Sequence, residues 1–342
     1  MINKVHITNF KSISDLTVYC NKLNIIAGAN SSGKSTFIQS LLLMQQNNKT
    51  NMGLNGEFIK LGNYKDIKNF NLNSQKTSIE IDDSKIVFSD EGIIVNDFLD
   101  KGNNSENPNI CPTINYLSCE RIGPEDIYKK NYHSDVNVGM DGEFAIYVLD
   151  KNKDIPLSKE LICDNNSFTL GNQVNYWLKY ILGATIVTED IIGTDFVKCF
   201  FSVAGEKLIR PKNVGAGFSY LVSIIVMCLL CKENDVVVIE NPEIHLHPNA
   251  QSKVFEFLYF ISSHNRQVFV ETHSDHIFNG VRAGIASEKM ESETIAINFF
   301  TMNDKYCTEN NIIKVGKRGR ISNCPNGLFD QFDIDLNRML NI

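Results

Sequence analysis

Two kinds of apolar spacing alternate along the chain. KVHITNF (4–10) and LTVYC (16–20) set apolar and polar residues by turns, the period of a half-buried strand, and KLNIIAG (22–28) is a short β-forming run that meets a glycine. FIQSLLLMQQ (37–46) then changes to helical spacing, so the first 46 residues read as strand, turn, strand, loop, helix. TSIEI (77–81) and SKIVFS (84–89) predict antiparallel strands, lying between Asn-, Gly- and Ser-rich loops at 47–57 and 101–109. The middle, roughly 123–205, mixes strand signals with one helix, QVNYWLKYIL (173–182), and reads as an inserted lobe. After 210 the pattern becomes regular: helix SYLVSIIVMCLLCK (219–232), strand DVVVIE (235–240), helix NAQSKVFEFLYFISS (249–263), strand QVFVET (267–272). Strands alternating with helices predict a parallel α/β sheet. No internal repeat and no sustained heptad pattern is present in the sequence.

Composition narrows the class. With 342 residues, 43% hydrophobic and 21% charged, the chain reads as a globular protein of one large or two medium domains. A net charge of −7 argues against a uniformly basic surface that coats nucleic acid, while leaving room for a local basic patch. No apolar run approaches the roughly 20 residues needed to cross a bilayer. The opening MINKVHITNF lacks the h-region of a signal peptide, so the expected location is the cytoplasm, with no membrane partner. Nine cysteines are scattered without a disulfide framework. Cys228 and Cys231 have CxxC spacing, but inside an apolar run, which predicts buried helix core rather than metal or redox chemistry.

The sharpest chemical signal is GANSSGKST, Gly28 to Thr36, which fits G-x-x-x-x-G-K-[ST] and stands between a β-run and a helix, as that motif requires. Gly28 and Gly33 let the backbone wrap a phosphate closely, so that the N–H groups of Ala29, Asn30, Ser31, Ser32 and Thr36 face it. Lys34 is placed for the β- and γ-phosphates of ATP and the Ser35 hydroxyl for Mg²⁺. Glu240, closing the apolar strand VVVIE, is the expected Walker-B carboxylate and second magnesium ligand.

The residue after Glu240 is Asn241, where many related ATPases keep a carboxylate base. An amide orients a water but does not take its proton at neutral pH. Glu243 and Glu271 are the candidate substitutes. A slow ATPase in which binding sets the state and hydrolysis resets it is the companion expectation. His273, after the strand QVFVET, is positioned to sense a γ-phosphate. His245, His247, His273 and His276 also admit a metal-cluster reading, but the spacing favours loop or subunit contacts for His245 and His247.

These pieces, in this order, resemble the ABC-type ATPases of the SMC/RecF/OLD-like branch. ITNFKSI (7–13) with GANSSGKST resembles the branch's amino-terminal signature, and NVGAGFSYL (213–221) stands where the ABC signature belongs. ENPEIHLHP (240–248) resembles its Walker B and D-loop, and ETHSDH (271–276) its switch-histidine segment. YLSCERIGP (116–124), VGMDGEF (138–144) and GLFDQFDIDL (327–336) resemble a subgroup of uncharacterised bacterial ATPases. The resemblance implies a RecA-like α/β P-loop head with a mixed sheet, an antiparallel β-subdomain and a helical or mixed lobe. It implies one discontinuous domain over 1–342, with a core from 1–70 and 206–342 and a lobe at about 110–205. It also implies ATP held between two copies in an ATP-dependent homodimer, with Gly215, Gly217 and Ser219 of one copy facing the γ-phosphate bound by the other. Gln39 lies too early in the P-loop helix for the Q-loop glutamine, a part LGNYKDI (61–67) is available to play.

The missing heptads exclude a coiled-coil SMC-type role, and the stretch after His276 is too short for the Toprim domain of OLD nucleases. Two functions remain. One is a switch that controls a separately encoded effector, nuclease or toxin-like, as small relatives do in bacterial anti-phage defence. The other is a RecF-like DNA-binding ATPase using the basic run Lys314, Lys317, Arg318 and Arg320, which otherwise reads as a solvated hairpin loop.

Overall fold

A computed structural model describes the chain except for residues 51, 73, 97–111, 133–136, 165, 204, 206, 326, 330 and 341–342. The loop expected at 101–109 lies outside the described residues. The chain forms two compact units, the first made of 1–114, 271–275 and 282–342 and the second of 115–270 and 276–281.

The first unit contains an antiparallel sheet in the order Ile13–Tyr19, Lys4–Phe10, Lys76–Ile81, Ser84–Ser89, Gly92–Asn96. Alternation sets its register: Val5 and Ile7 face Ile81 and Ile79 across the ladder, and all four are buried. A second group of strands in this unit is mixed. Ile295–Met302 runs parallel to Leu23–Gly28 and antiparallel to Thr308–Ile313. The helix Lys34–Thr50 starts in the P-loop and is anchored by Phe37, whose ring meets Phe300 edge-on at 5.8 Å.

The helix outlasts its expected end. Residues 47–50 read as loop because of their Asn-rich composition, yet the Asn47 side chain is buried and bonded to Leu43 O and to both backbone groups of Gly53. An asparagine whose amide is fully engaged by the next turn of chain does not break a helix.

In the second unit Val236–Glu240 lies between Ile114–Leu117 and Gln267–Glu271 in the strand order. The near-continuous apolar run VVVI is wholly buried, as a strand covered on both faces must be. Helix Gly217–Leu230 packs with Leu170–Leu182 and Pro248–Ser263, and Trp177 sits between Phe257 and Phe260. The 123–205 stretch contains a second helix, Ala145–Asn152, and an antiparallel group built on Phe196–Val203, paired with Ala184–Asp190, Lys207–Ile209 and Tyr128–Lys129. Cys228 is buried within the helix Gly217–Leu230 and Cys231 is buried just past its end, as the C-cap, where burial pushes the thiol up to about 12. No described helix is long and apolar enough to cross a membrane.

Candidate active site

In the first unit the P-loop is built around two positions that admit only glycine. Gly28 has φ 146°, and a Cβ there would lie 2.2 Å from the Phe300 carbonyl oxygen. Gly33 has φ 102°, and a Cβ there would lie 2.2 Å from Thr308 Oγ1. Thr308 also ties in the ITNFKSI turn: its N–H donates to Ser12 O at 2.9 Å, and its hydroxyl lies 2.8 Å from that of Ser12. The amino-terminal signature thus meets the P-loop through one threonine, which had no signal of its own in sequence.

Ala29, Asn30 and Ser31 form the exposed rim, with Ser31 at φ 61°. Lys34 is buried, and its ammonium donates to Gly28 O (3.1 Å) and Ala29 O (2.8 Å). Ser32 Oγ is buried and meets no hydrogen-bond partner among the described residues. Ser35 Oγ donates to Glu271 Oε1 at 3.1 Å, and Glu271 itself is only 4% exposed. Thr36 follows, half-buried, in the first turn of the helix. A buried ammonium, an orphaned hydroxyl and a hydroxyl–carboxylate pair at a helix start fit a polyphosphate and a hard divalent cation.

The segment after Glu271 is fixed to the P-loop strand, since Thr272 N–H donates to Ile26 O at 3.0 Å. His273 is exposed. Partial desolvation, and then the nearby Lys34 charge, lower its pKa, so the ring is neutral at pH 7 and keeps both a donor and an acceptor. Gln39 accepts from Lys11 Nζ at 2.7 Å, and 61–67 forms the short helix Tyr64–Ile67, whose Ile67 carbonyl accepts from the Lys11 N–H.

The Walker-B end belongs to the second unit. Tyr116 OH donates to Glu240 Oε1 (3.0 Å) and Cys119 N–H to Oε2 (3.2 Å), so the carboxylate is oriented from both sides. Asn241 has φ 45° and His245 φ 59°. Asparagine tolerates the left-handed region better than other residues with a Cβ, which is a backbone reason for an amide at this position.

The signature segment departs from expectation. Of the three residues expected to face a partner's phosphate, only Gly215 is exposed; Gly217 and Ser219 are buried. The helix starts at Gly217, and its first turn is packed on both sides. A Cβ on Gly217 would lie 2.6 Å from His245 O, and Ser219 Oγ lies 3.5 Å from Tyr128 OH.

His245 stacks on Tyr220 with centroids 5.1 Å apart, and His247 caps the helix Pro248–Ser263 by accepting from Asn249 N–H. Among the described residues no group of three or more His, Cys, Asp and Glu side chains gathers to hold a metal ion.

Arg121 is the residue that sequence reading missed. It is 3% exposed, and its guanidinium donates to Ser118 O (2.8 Å), Glu240 O (2.6 Å) and Asn241 O (2.6 Å). Burial works against its charge, and the Glu243 and Glu240 carboxylates support it. The one pointer to it in sequence was its place inside YLSCERIGP.

In the first unit, the basic run is an ordered hairpin. Val315 bridges Ile321, Gly316 N–H donates to Arg320 O, and Gly319 is packed against the Arg282 backbone. Lys314, Lys317, Arg318 and Arg320 are exposed, and none pairs with a carboxylate among the described residues.

Comparison with known proteins finds family matches along the chain and a likeness of overall fold. An AAA domain family matches residues 4–168, an AAA ATPase domain family matches 151–278, and a family described as protein of unknown function (DUF3696) matches 290–339. No curated protein matches the sequence. Among solved structures, an SMC head bound to the C-winged helix domain of ScpA is similar over 92% of this chain and 98% of its own, with TM-score 0.54 and 16% identity. An SMC head domain with an extended coiled coil, bound to the C-terminal domain of ScpA derived from Pyrococcus furiosus, is similar over 100% and 99%, with TM-score 0.50 and 12% identity. At these identities the likeness is one of fold.

Proposed function

We propose that the chain is an ABC-type ATPase of the SMC/RecF-like branch, acting as a slow, cytoplasmic ATP switch that dimerises on ATP and controls a separately encoded effector. The observation that carries the switch reading is the P-loop with its buried Lys34, its orphaned Ser32 hydroxyl and the Ser35–Glu271 contact. The loop backbone, Ser32 and Lys34 hold the phosphates. Ser35 would hold magnesium, and the sequence motif makes Glu240 the expected second ligand. When bound, Mg·ATP supplies the phosphoanhydride whose cleavage resets the switch. His273, neutral beside Lys34, reads the presence of the terminal phosphate. The two SMC heads above each carry a bound partner protein, which supports a role beside a second polypeptide here. Control of a nuclease or toxin-like effector in anti-phage defence follows from the resemblance of the motifs and is tested by co-purification with the products of neighbouring genes.

Dimerisation has a direct test. Gly215 is exposed, and a Cβ there would meet the Phe218 ring at an ordinary 3.9 Å, so Gly215→Asp changes charge at the signature loop with little disturbance of the fold. Solution mass in Mg·ATP should show dimer for the wild type and monomer for the variant, because an added anion opposes a neighbouring triphosphate. Equal masses for the two proteins count against the sandwich.

A second reading, DNA binding, is favoured by the four exposed cations on the 314–320 hairpin, none of which pairs with a carboxylate among the described residues. It expects affinity for duplex DNA to fall with salt at a slope of about −0.9 per phosphate contact, and to flatten when all four become Gln. Salt-independent or absent binding by the wild-type chain removes it.

A further inference from the structure

Two motifs have been given no function so far, YLSCERIGP (116–124), which contacts the Walker-B end, and VGMDGEF (138–144). In the second unit they are bound to each other. Ser118 N–H donates to Met140 O (2.8 Å), Ser118 Oγ to Asp141 Oδ1 (2.6 Å) and Ile122 N–H to Asp141 O (2.7 Å). Gly142, at φ 69°, lets the second motif lie against the signature helix, where a Cβ would meet Ser223 Cβ at 2.7 Å. From this base the first motif reaches the Walker-B end at three places: Tyr116 and the Cys119 N–H on the Glu240 carboxylate, and Arg121 on the carbonyls of Glu240 and Asn241. Arg121 also lies over the ring of Tyr220 at 6.0 Å, and Tyr220 stacks on His245. One buried guanidinium therefore touches the Walker-B backbone and the signature helix together.

We propose that the paired motifs form a bracket for the Walker-B end, in which Arg121 is a positioning residue for ATP hydrolysis. It holds the left-handed Asn241 backbone, and with Tyr116 it fixes the direction of the Glu240 carboxylate. A planar fork is needed, because two carbonyls on consecutive residues are held by two different nitrogens of one group. A lysine keeps the charge near Glu243 but presents a single nitrogen. The hydrogen bonds of the bracket named above go to the Walker-B end, so its loss should act first on turnover, with nucleotide affinity largely kept.

This inference rests on the ATPase reading, and the test separates the two. Steady-state turnover and the Kd of a fluorescent ATP analogue are measured for wild type, Arg121→Lys, Arg121→Gln and Tyr116→Phe, with melting temperatures alongside. Both Arg121 variants should lose about 10-fold or more in kcat, and Tyr116→Phe several-fold, with Kd within about threefold of wild type, the range for groups that orient a metal-binding carboxylate. A merely structural arginine would lower stability, affinity and turnover together. Where the Arg121 variants fail to fold, Tyr116→Phe decides, since it removes one hydroxyl and no packing volume. Arg121→Lys turning over within twofold of wild type overturns the proposal, as does an unchanged Tyr116→Phe where the Arg121 variants do not fold. A wild-type chain that binds the analogue but shows no turnover overturns the ATPase reading and the bracket with it.

Discussion

Lys34→Ala yields a folded chain that no longer binds ATP tightly. The ammonium is 4% exposed and lies over the loop, donating to the carbonyls of Gly28 and Ala29. A charge held there is placed for the phosphates, and a charge-assisted contact to phosphate is among the strongest a side chain can make. Truncating it should cost about 3 kcal/mol or more of binding, roughly two orders of magnitude in Kd. The cost to the fold is smaller, since each lost bond to a loop carbonyl is worth about 1 kcal/mol. Titration with a fluorescent ATP analogue, beside a thermal melt, checks both halves. Unchanged affinity in a folded variant removes the assignment of this loop as the nucleotide site.

The P-loop was legible in sequence because its constraints are local. Gly28 and Gly33 are demanded by backbone angles and by the close approach of Phe300 and Thr308, and no tertiary accident replaces a missing Cβ. The buried Val236–Ile239 run was legible for the same reason: an uninterrupted apolar stretch has few places to go. What stayed hidden depends on contacts between distant segments. Arg121 is a charged residue in an irregular stretch, and only packing against residues about 120 positions away makes it a clamp. The expected signature segment does open a helix, at Gly217, but spacing alone does not say which of its residues are covered. Ser219 is turned to Tyr128, a residue 91 positions earlier. Asn241 shows a third kind of gap. Chemistry alone marks it as a missing base, whereas its φ of 45° gives the amide a conformational role.

That last point bears on the base itself, and the expected result is that Glu271→Gln stops hydrolysis while sparing ATP binding. Glu243 and Glu271 began as equal candidates, and the structure places them differently. Glu271 lies in the same unit as the P-loop, buried, with Oε1 accepting from Ser35 Oγ at 3.1 Å. Glu243 has the Arg121 charge as its neighbour and lies in the second unit, beside the Walker-B end. A carboxylate beside the serine proposed to hold magnesium is the better placed to receive a proton. Glutamine keeps the shape and one oxygen of glutamate but has no basic site. Loss of a positioned general base typically lowers turnover by ~100-fold or more, so single-turnover rates should separate Glu271→Gln from wild type decisively. Glu243→Gln should change the rate far less. Asn241→Glu, the substitution that restores a carboxylate after Glu240, should help little, because it trades asparagine for a residue less suited to a left-handed backbone, at a cost of order 1 kcal/mol or more. Single-turnover cleavage of radiolabelled ATP by the four proteins, with analogue binding measured in parallel, decides among them. Rapid hydrolysis by Glu271→Gln, or a large gain in Asn241→Glu, would show that the proton goes elsewhere.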